Sequence, residues 1–258
     1  MSLEEDPRVY SISVRIREVS TIIPVMSYKG GVGKSTISAL LSLALDEGGY
    51  KVGLLDLDFT NPSIHRIFGI DIETATLREE KGVLPLELGN IKVMSVAFFT
   101  KDNPLPLRGS ELDSVFKELL SITIWGKLDF LVVDMPPGLS DIALDVLKYF
   151  REKMRPVVVS ASSILSVAPT INLAKMMREI KLNPLGVIIN RGVGTEEVYE
   201  NVLRSIAERG ISILGTVEKD GGLDASYGNT LRLRRTRAYS SVKKISESIE
   251  ASIKKEIV

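Results

Sequence analysis

Residues 29–36 read Lys29-Gly30-Gly31-Val32-Gly33-Lys34-Ser35-Thr36, and this stretch decides the fold. A short apolar run over 22–26 leads into it and a helical pattern over 35–47 leads out of it. A glycine-rich turn from strand to helix that ends in Lys-Ser is the context of a phosphate-binding loop. Glycines let successive backbone N–H groups turn inward and form an anion-binding concavity. The helix start adds orphan N–H donors and the positive end of its dipole. Within this reading Gly30, Gly31, Val32 and Gly33 cradle phosphate. Lys34 sets a point charge on the β- and γ-phosphates, Ser35 offers a hard oxygen to Mg²⁺, and Thr36 bonds the α-phosphate. The strict G-x-x-x-x-G-K-[ST] pattern is missed by one residue, because Tyr28 stands where its first glycine would be. Lys29 beside a double glycine marks a known variant of that loop.

Three further segments carry polar residues where strands should end. Residues 54–63 read Leu54-Leu55-Asp56-Leu57-Asp58-Phe59-Thr60-Asn61-Pro62-Ser63. The two carboxylates leave the C-terminal end of a strand, the edge at which open α/β sheets bind ligands. An acid there holds a magnesium-bound water or orients an attacking one, and Asp58 is the stronger candidate for both. Residues 128–138 read Leu128-Asp129-Phe130-Leu131-Val132-Val133-Asp134-Met135-Pro136-Pro137-Gly138. A buried apolar strand closed by Asp134 is the Walker-B pattern, with the acid on Mg²⁺. Gly138 could bring its N–H to a γ-phosphate. Asn190 ends the apolar run Gly186-Val187-Ile188-Ile189, and its amide, both donor and acceptor, can match the N6 and N7 pattern of adenine. A turn or helix cap explains Asn190 equally well.

Outward from these segments, short apolar runs alternate with helical patterns. Strands are expected over 22–26, 52–56, 93–97, 130–134, 157–160, 187–190 and 211–215. Helices are expected over 35–47, 111–121, 141–151, 167–180, 196–209 and 238–257. The runs lack period-2 alternation, which indicates strands covered on both faces. The fold class expected is α/β, a doubly wound and mostly parallel P-loop sheet flanked by helices. No linker interrupts residues 19–258, which read as a single ATPase domain. The arm over 1–18 differs. Tyr10, Ile12, Val14 and Ile16 alternate with Ser11, Ser13, Arg15 and Arg17, and that period predicts an antiparallel strand on the sheet edge.

Composition excludes several chemistries. The 258 residues carry 33 Lys+Arg and 33 Asp+Glu, so neither a basic nucleic-acid coat nor an acidic tail is present. The chain has no Cys and one His, His65. Thiolate zinc sites, cysteine nucleophiles, His-containing triads and Cys-ligated clusters are thereby excluded within it. His65 is expected to pack or cap a local helix. No apolar run approaches the roughly 18 residues of a membrane span, and the acidic start MSLEEDPRVY is unlike a signal peptide, so a cytoplasmic protein is expected.

Taken together, the four segments resemble the MinD/Mrp branch of P-loop ATPases, with its K-G-G-x-G-K-[ST] loop, and are more similar still to the Mrp/ApbC iron–sulfur carrier family. The resemblance runs from Thr21 to about Ser248. It includes Asp58-Phe59-Thr60-Asn61-Pro62-Ser63-Ile64, Leu107-Arg108-Gly109, Trp125-Gly126-Lys127-Leu128-Asp129, and Asp134-Met135-Pro136-Pro137-Gly138 followed by Asp141-Ile142. It implies a homodimer that sandwiches ATP. Lys29 would reach the partner's nucleotide, Asp58 would serve the attacking water, Asp134 would serve Mg²⁺ and Asn190 would contact adenine. It implies slow basal turnover and a nucleotide state that controls binding of a cluster or a client protein.

One departure is large. Cluster-carrying relatives place C-x-x-C soon after the late-strand Asn, where this chain reads Asn190-Arg191-Gly192-Val193-Gly194-Thr195-Glu196. Without Cys, two copies of the chain supply no thiolates, so no iron–sulfur cluster is expected and the cargo or client is open. Two other readings remain. The first is a MinD/ParA-like positioning ATPase acting on membrane or DNA, which the Mrp-like motifs disfavour. The second is a P-loop small-molecule kinase or ligase, for which no acceptor site is visible. Residues 225–246 contain no acidic side chain but do contain Arg232, Arg234, Arg235, Arg237, Lys243 and Lys244. Nucleic-acid or lipid phosphates could meet them, although a solvated face is the plainer reading. The stripe Val242, Ile245, Ile249, Ile253 and Ile257 is expected to pack on the sheet rather than on a membrane.

Overall fold

A computed structural model describes residues 6–101, 110–139, 141–190 and 195–257. The family-pattern residues Leu107, Arg108 and Gly109, and Arg191, Gly192, Val193 and Gly194 after the late-strand Asn, lie outside the described residues. The strands are β1 (Val19–Met26), β2 (Val52–Asp56), β3 (Leu86–Leu88), β4 (Ile91–Ser95), β5 (Leu128–Asp134), β6 (Val157–Ala161), β7 (Gly186–Asn190) and β8 (Ile213–Val217). They form one sheet in the order β3-β4-β2-β5-β1-β6-β7-β8, parallel throughout except for the β3–β4 pair. The sheet was legible from the sequence in class and in seven of these strands. The short antiparallel β3 was not foreseen.

The helices are α1 (Pro7–Arg15), α2 (Lys34–Glu47), α3 (Ile64–Phe68), α4 (Ala97–Thr100), α5 (Ser110–Ile122), α6 (Asp141–Tyr149), α7 (Ile164–Glu179), α8 (Glu196–Ala207), α9 (Thr230–Leu233) and α10 (Arg237–Ile257). Central strands are apolar through most of their length because helices cover both faces; every residue of β2, its terminal Asp56 included, is buried. α2 packs on β2 and β5 of the sheet and also on α10, which is why every residue from Ile37 to Leu45 is buried, a run that circles the helix. The stripe Val242, Ile245, Ile249 and Ile253 of α10 is buried against β8 and α2, as the sequence predicted. Gly215 on β8 permits that approach, since a Cβ there would lie 2.6 Å from Ile245 Cγ1. The Trp125-Gly126 pair turns the chain into β5. Gly126 takes φ +62° and Trp125 is buried beside Gly53 of β2.

The expected N-terminal edge strand is corrected. Residues 7–15 form helix α1, which packs on α5. Asp6 caps it by accepting from Arg8 N at 3.1 Å, and Pro7 occupies the first turn, where its missing N–H costs nothing. Ile12 and Ile16 are buried while Tyr10 is 71% exposed. A spacing of four residues falls on one face at period 2 and also at period 3.6. The alternation was therefore ambiguous, and the Asp-Pro cap is the cue that resolves it.

The parallel register brings the chemical residues to one edge. β2 and β5 pair with Asp56 opposite Asp134, and β6 and β7 pair with Ala161 opposite Asn190. The C-terminal ends of β1, β2, β5 and β7 thus face the start of α2.

Candidate functional site

The loop between β1 and α2 takes the backbone shape its glycines allow. Gly31 has φ +77° and Gly33 φ +90°, the left-handed region in which a side chain is strained. Gly33 is also fixed by contact, because a Cβ there would fall 2.3 Å from Asn190 Nδ2. α2 begins at the next residue, so the first-turn N–H groups and the dipole of a 14-residue helix are directed at the loop. Ser27 Oγ donates to the Lys29 carbonyl at 2.9 Å, and Gly138 N–H donates to the Ser27 carbonyl at 2.8 Å. The loop is tied at its base to the turn that follows β5.

Lys34 is buried, and its Nζ donates to Asp134 Oδ1 at 2.7 Å. Ser38 Oγ, one turn along α2, donates to the same oxygen at 2.9 Å. Asp134 Oδ2 is buried without a hydrogen-bond partner. Asp134 therefore lies behind Lys34 and holds the ammonium at the floor of a cavity of about 400 Å³. Gly30, Gly31, Gly33, Lys34, Ser35 and Thr36 line one wall of it, and Asp58, Asn61, Ser63, Arg66, Pro137 and Tyr227 line the rest.

The two acids after β2 separate into different roles. Asp58 Oδ1 accepts from Thr60 N at 3.2 Å, Thr60 Oγ1 at 2.6 Å and Asn61 N at 3.1 Å, which fixes its carboxylate at the cavity wall. Asp56 is fully buried and accepts from the backbone N–H of Asp58, Ser63 and Ile64, so it shapes the loop that presents Asp58. Burial, and then the charge of Asp134, push the Asp56 carboxyl up to about 7, against opposing pulls from backbone N–H groups and Lys34. Lys29 is exposed at the mouth of the loop.

Several of the expected residues also make contacts within the chain. Gly138 gives its N–H to Ser27 rather than directing it into the cavity. Asn190 Nδ2 donates to the Val32 carbonyl at 2.9 Å, so the amide braces the loop. Asn190 also lines a second cavity of about 160 Å³, whose wall includes Thr36, Val217 and Leu223. The Thr36 hydroxyl lies 2.9 Å from Tyr227 Oη. Ser38 and Tyr227 were not singled out from the sequence. Ser38 carries a readable signal, one helical turn past Lys34, whereas Tyr227 is 191 residues from Thr36 and has none. His65 is buried in α3, where it packs as expected.

The Arg-rich segment is partly used inside the fold. Arg234 donates to Asp46 at 2.6 Å, to Glu47 and to the Leu43 carbonyl, fastening the start of α10 to α2. Lys243 and the Tyr239 hydroxyl also reach Glu47, and these hydrogen bonds hold the Glu47 carboxyl down at about 2. Arg232, Arg235 and Arg237 remain exposed.

A family described as ParA, NUBPL iron-transfer P-loop NTPase, matches residues 18–212. The chain belongs to this family. Among curated relatives, the iron-sulfur cluster carrier protein of Aquifex aeolicus is 39% identical over 178 residues, covering 68% of this chain and 49% of the relative. That of Pseudomonas fragi is 38% identical over 180 residues, covering 69% of this chain and 62% of the relative. The chain thus matches about half to three-fifths of the length of these carriers. A nucleotide-binding protein from Archaeoglobus fulgidus, solved in complex with ADP, is similar over 93% of both chains, with 27% identity and a TM-score of 0.67. The cell division ATPase MinD of Pyrococcus furiosus shares the fold, with 22% identity, 90% of this chain covered, 99% of the other and a TM-score of 0.62. The expected membership of the iron–sulfur carrier branch of P-loop NTPases is thereby shown, and MinD shares the fold. Among the described residues no helix is long and apolar enough to cross a membrane.

Proposed function

We propose that the chain binds Mg·ATP in the P-loop cavity and hydrolyses it slowly, as a nucleotide switch that acts on a client protein. The observation that carries this reading is the loop itself. Two left-handed glycines, a helix start and a buried lysine converge on one cavity. The donor set fits magnesium as well. Ser35 puts a hydroxyl at the cavity wall, and Asp134 keeps one buried oxygen unpartnered behind Lys34; both are hard oxygens of the kind Mg²⁺ takes, directly or through water. Bound magnesium would neutralise charge on the terminal phosphate oxygens. Lys34 adds a cation held in place by Asp134, and the N–H groups of the loop bind the phosphate oxygens. Asp58, fixed by Thr60 and Asn61, orients the attacking water. The second cavity, bordered by Asn190 and Thr36, takes the base.

The reading includes a homodimer with ATP between the two copies, because exposed Lys29 is free to cross to a second nucleotide. It includes no iron–sulfur cluster of the chain's own, since the chain offers no thiolate. The relatives named for cluster carriage point to an iron–sulfur client, with the ligands supplied by that partner. Calorimetry with Mg·ATP tests the core of the reading. Binding that Lys34→Met abolishes, in a variant still folded by circular dichroism, is the expected result; unchanged affinity overturns it. Anaerobic iron and sulfide reconstitution should leave the desalted chain colourless.

A further inference from the structure

We infer that Tyr227 is a nucleotide-positioning residue, which acts by orienting the Thr36 hydroxyl toward a phosphate oxygen. The inference deepens the proposed nucleotide reading and rests on it. Tyr227 Oη lies 2.9 Å from Thr36 Oγ1, and both side chains line the cavity that holds Lys34 and Ser35. A hydroxyl has one proton to give and lone pairs to receive with. A phosphate oxygen at neutral pH is an acceptor, so Thr36 can bind it only by donating. The Thr36–Tyr227 bond must then run from the phenol to the Thr36 oxygen. The result is a relay in one direction, Tyr227 O–H to Thr36 O–H to phosphate, in which each bond polarises the next.

The fold holds Tyr227 in place for this task. Gly228 N–H donates to the Ile67 carbonyl at 3.0 Å. Gly69 lies so close that a Cβ on it would meet the Gly228 oxygen at 2.3 Å. The segment is thereby fastened to α3, the element that directly follows the Asp58 loop. Tyr227 is partly buried, with its phenol pushed upward by that burial, so it remains a neutral donor.

The test is a double-mutant cycle read by calorimetry with Mg·ADP on the full chain, using Tyr227→Phe, Thr36→Val and the double variant. Tyr227→Phe keeps the ring and removes only the proton. Its affinity should fall about five- to tenfold, the loss of one net hydrogen bond, while the melting temperature without nucleotide stays within a degree or so. In the Thr36→Val background, Tyr227→Phe should cost nothing further. Wild-type affinity in Tyr227→Phe overturns the inference alone, as does an equal loss in both backgrounds, which would mark a role independent of Thr36. A wild-type chain that binds no Mg·ADP overturns the nucleotide reading and this inference with it.

Discussion

Lys34 and Asp134 form an ion pair at 2.7 Å with both side chains almost wholly out of solvent. The lysine that would meet phosphate is thus also a structural residue, and the acid behind it is the reason its charge can be buried at all. Removing one partner leaves an uncompensated buried charge, which costs about 3–5 kcal/mol. Asp134→Leu should lose stability of that order in urea denaturation without nucleotide. Lys34→Met/Asp134→Leu, which removes both charges together, should recover a large part of the loss. A double variant as unstable as the sum of the singles would show that the pair is not what stabilises this point of the sheet.

The glycines of the loop separate in the same way. A side chain at Gly33 would be strained at φ +90° and would collide with Asn190 Nδ2, whereas a Cβ at Gly30 meets nothing within 4 Å. Gly33→Ala should destabilise the chain by about 1–3 kcal/mol and abolish measurable Mg·ATP binding. Gly30→Ala should leave stability within about 0.5 kcal/mol of wild type. Thermal melts and calorimetry on both variants check this. Equal tolerance at the two positions would mean that the left-handed turn is not required.

Much of this was legible before any coordinates, for a physical reason. The loop 29–36 and the acids at strand ends are local signals, in which neighbouring residues carry the information. The place of Asp134 at a strand end could be read because it closes an apolar strand, though its ion pair with Lys34 could not, and the parallel sheet could be read because its strands are apolar on both faces. What sequence could not supply is what the chain brings together from a distance. Tyr227 reaches Thr36 across 191 positions. Gly138 and Asn190 carry donors that looked available and are bonded to Ser27 and Val32. Helix α1 was misread because Ile12 and Ile16 share a face at either period.

Asp56 should impose a pH dependence on stability. Its carboxyl titrates near 3.8 when unfolded and is raised to about 7 when folded. Between those values the folded state binds the extra proton, so stability falls as pH rises, by on the order of 1 kcal/mol per unit, and levels off above the folded value. Asp6 and Glu47, lowered to about 2, act below this window. Urea denaturation at pH 5, 6, 7 and 8 should show the slope in the wild type and a flatter profile in Asp56→Asn. Parallel profiles for the two proteins would place the titration elsewhere.

Lys29, in the loop after β1, and Asp58, in the segment after β2, should fail in different ways. The Asp58 carboxylate is fixed at the cavity wall by Thr60 and Asn61, whereas Lys29 precedes the left-handed glycines and is exposed. Asp58→Ala should bind Mg·ATP with near wild-type affinity, lose turnover by about 100-fold, the scale of a positioned general base, and accumulate as the ATP-bound dimer. Lys29→Ala should keep Mg·ADP binding by the single chain, since its side chain is not needed to shape the loop. It should lose the ATP-dependent dimer, because the second copy's nucleotide is then missing its cation. Light scattering with and without Mg·ATP, run beside phosphate release, separates the two. A Lys29→Ala dimer as stable as the wild type would confine the site to one chain. Undiminished phosphate release by Asp58→Ala would move the water-orienting role to another group on the cavity wall.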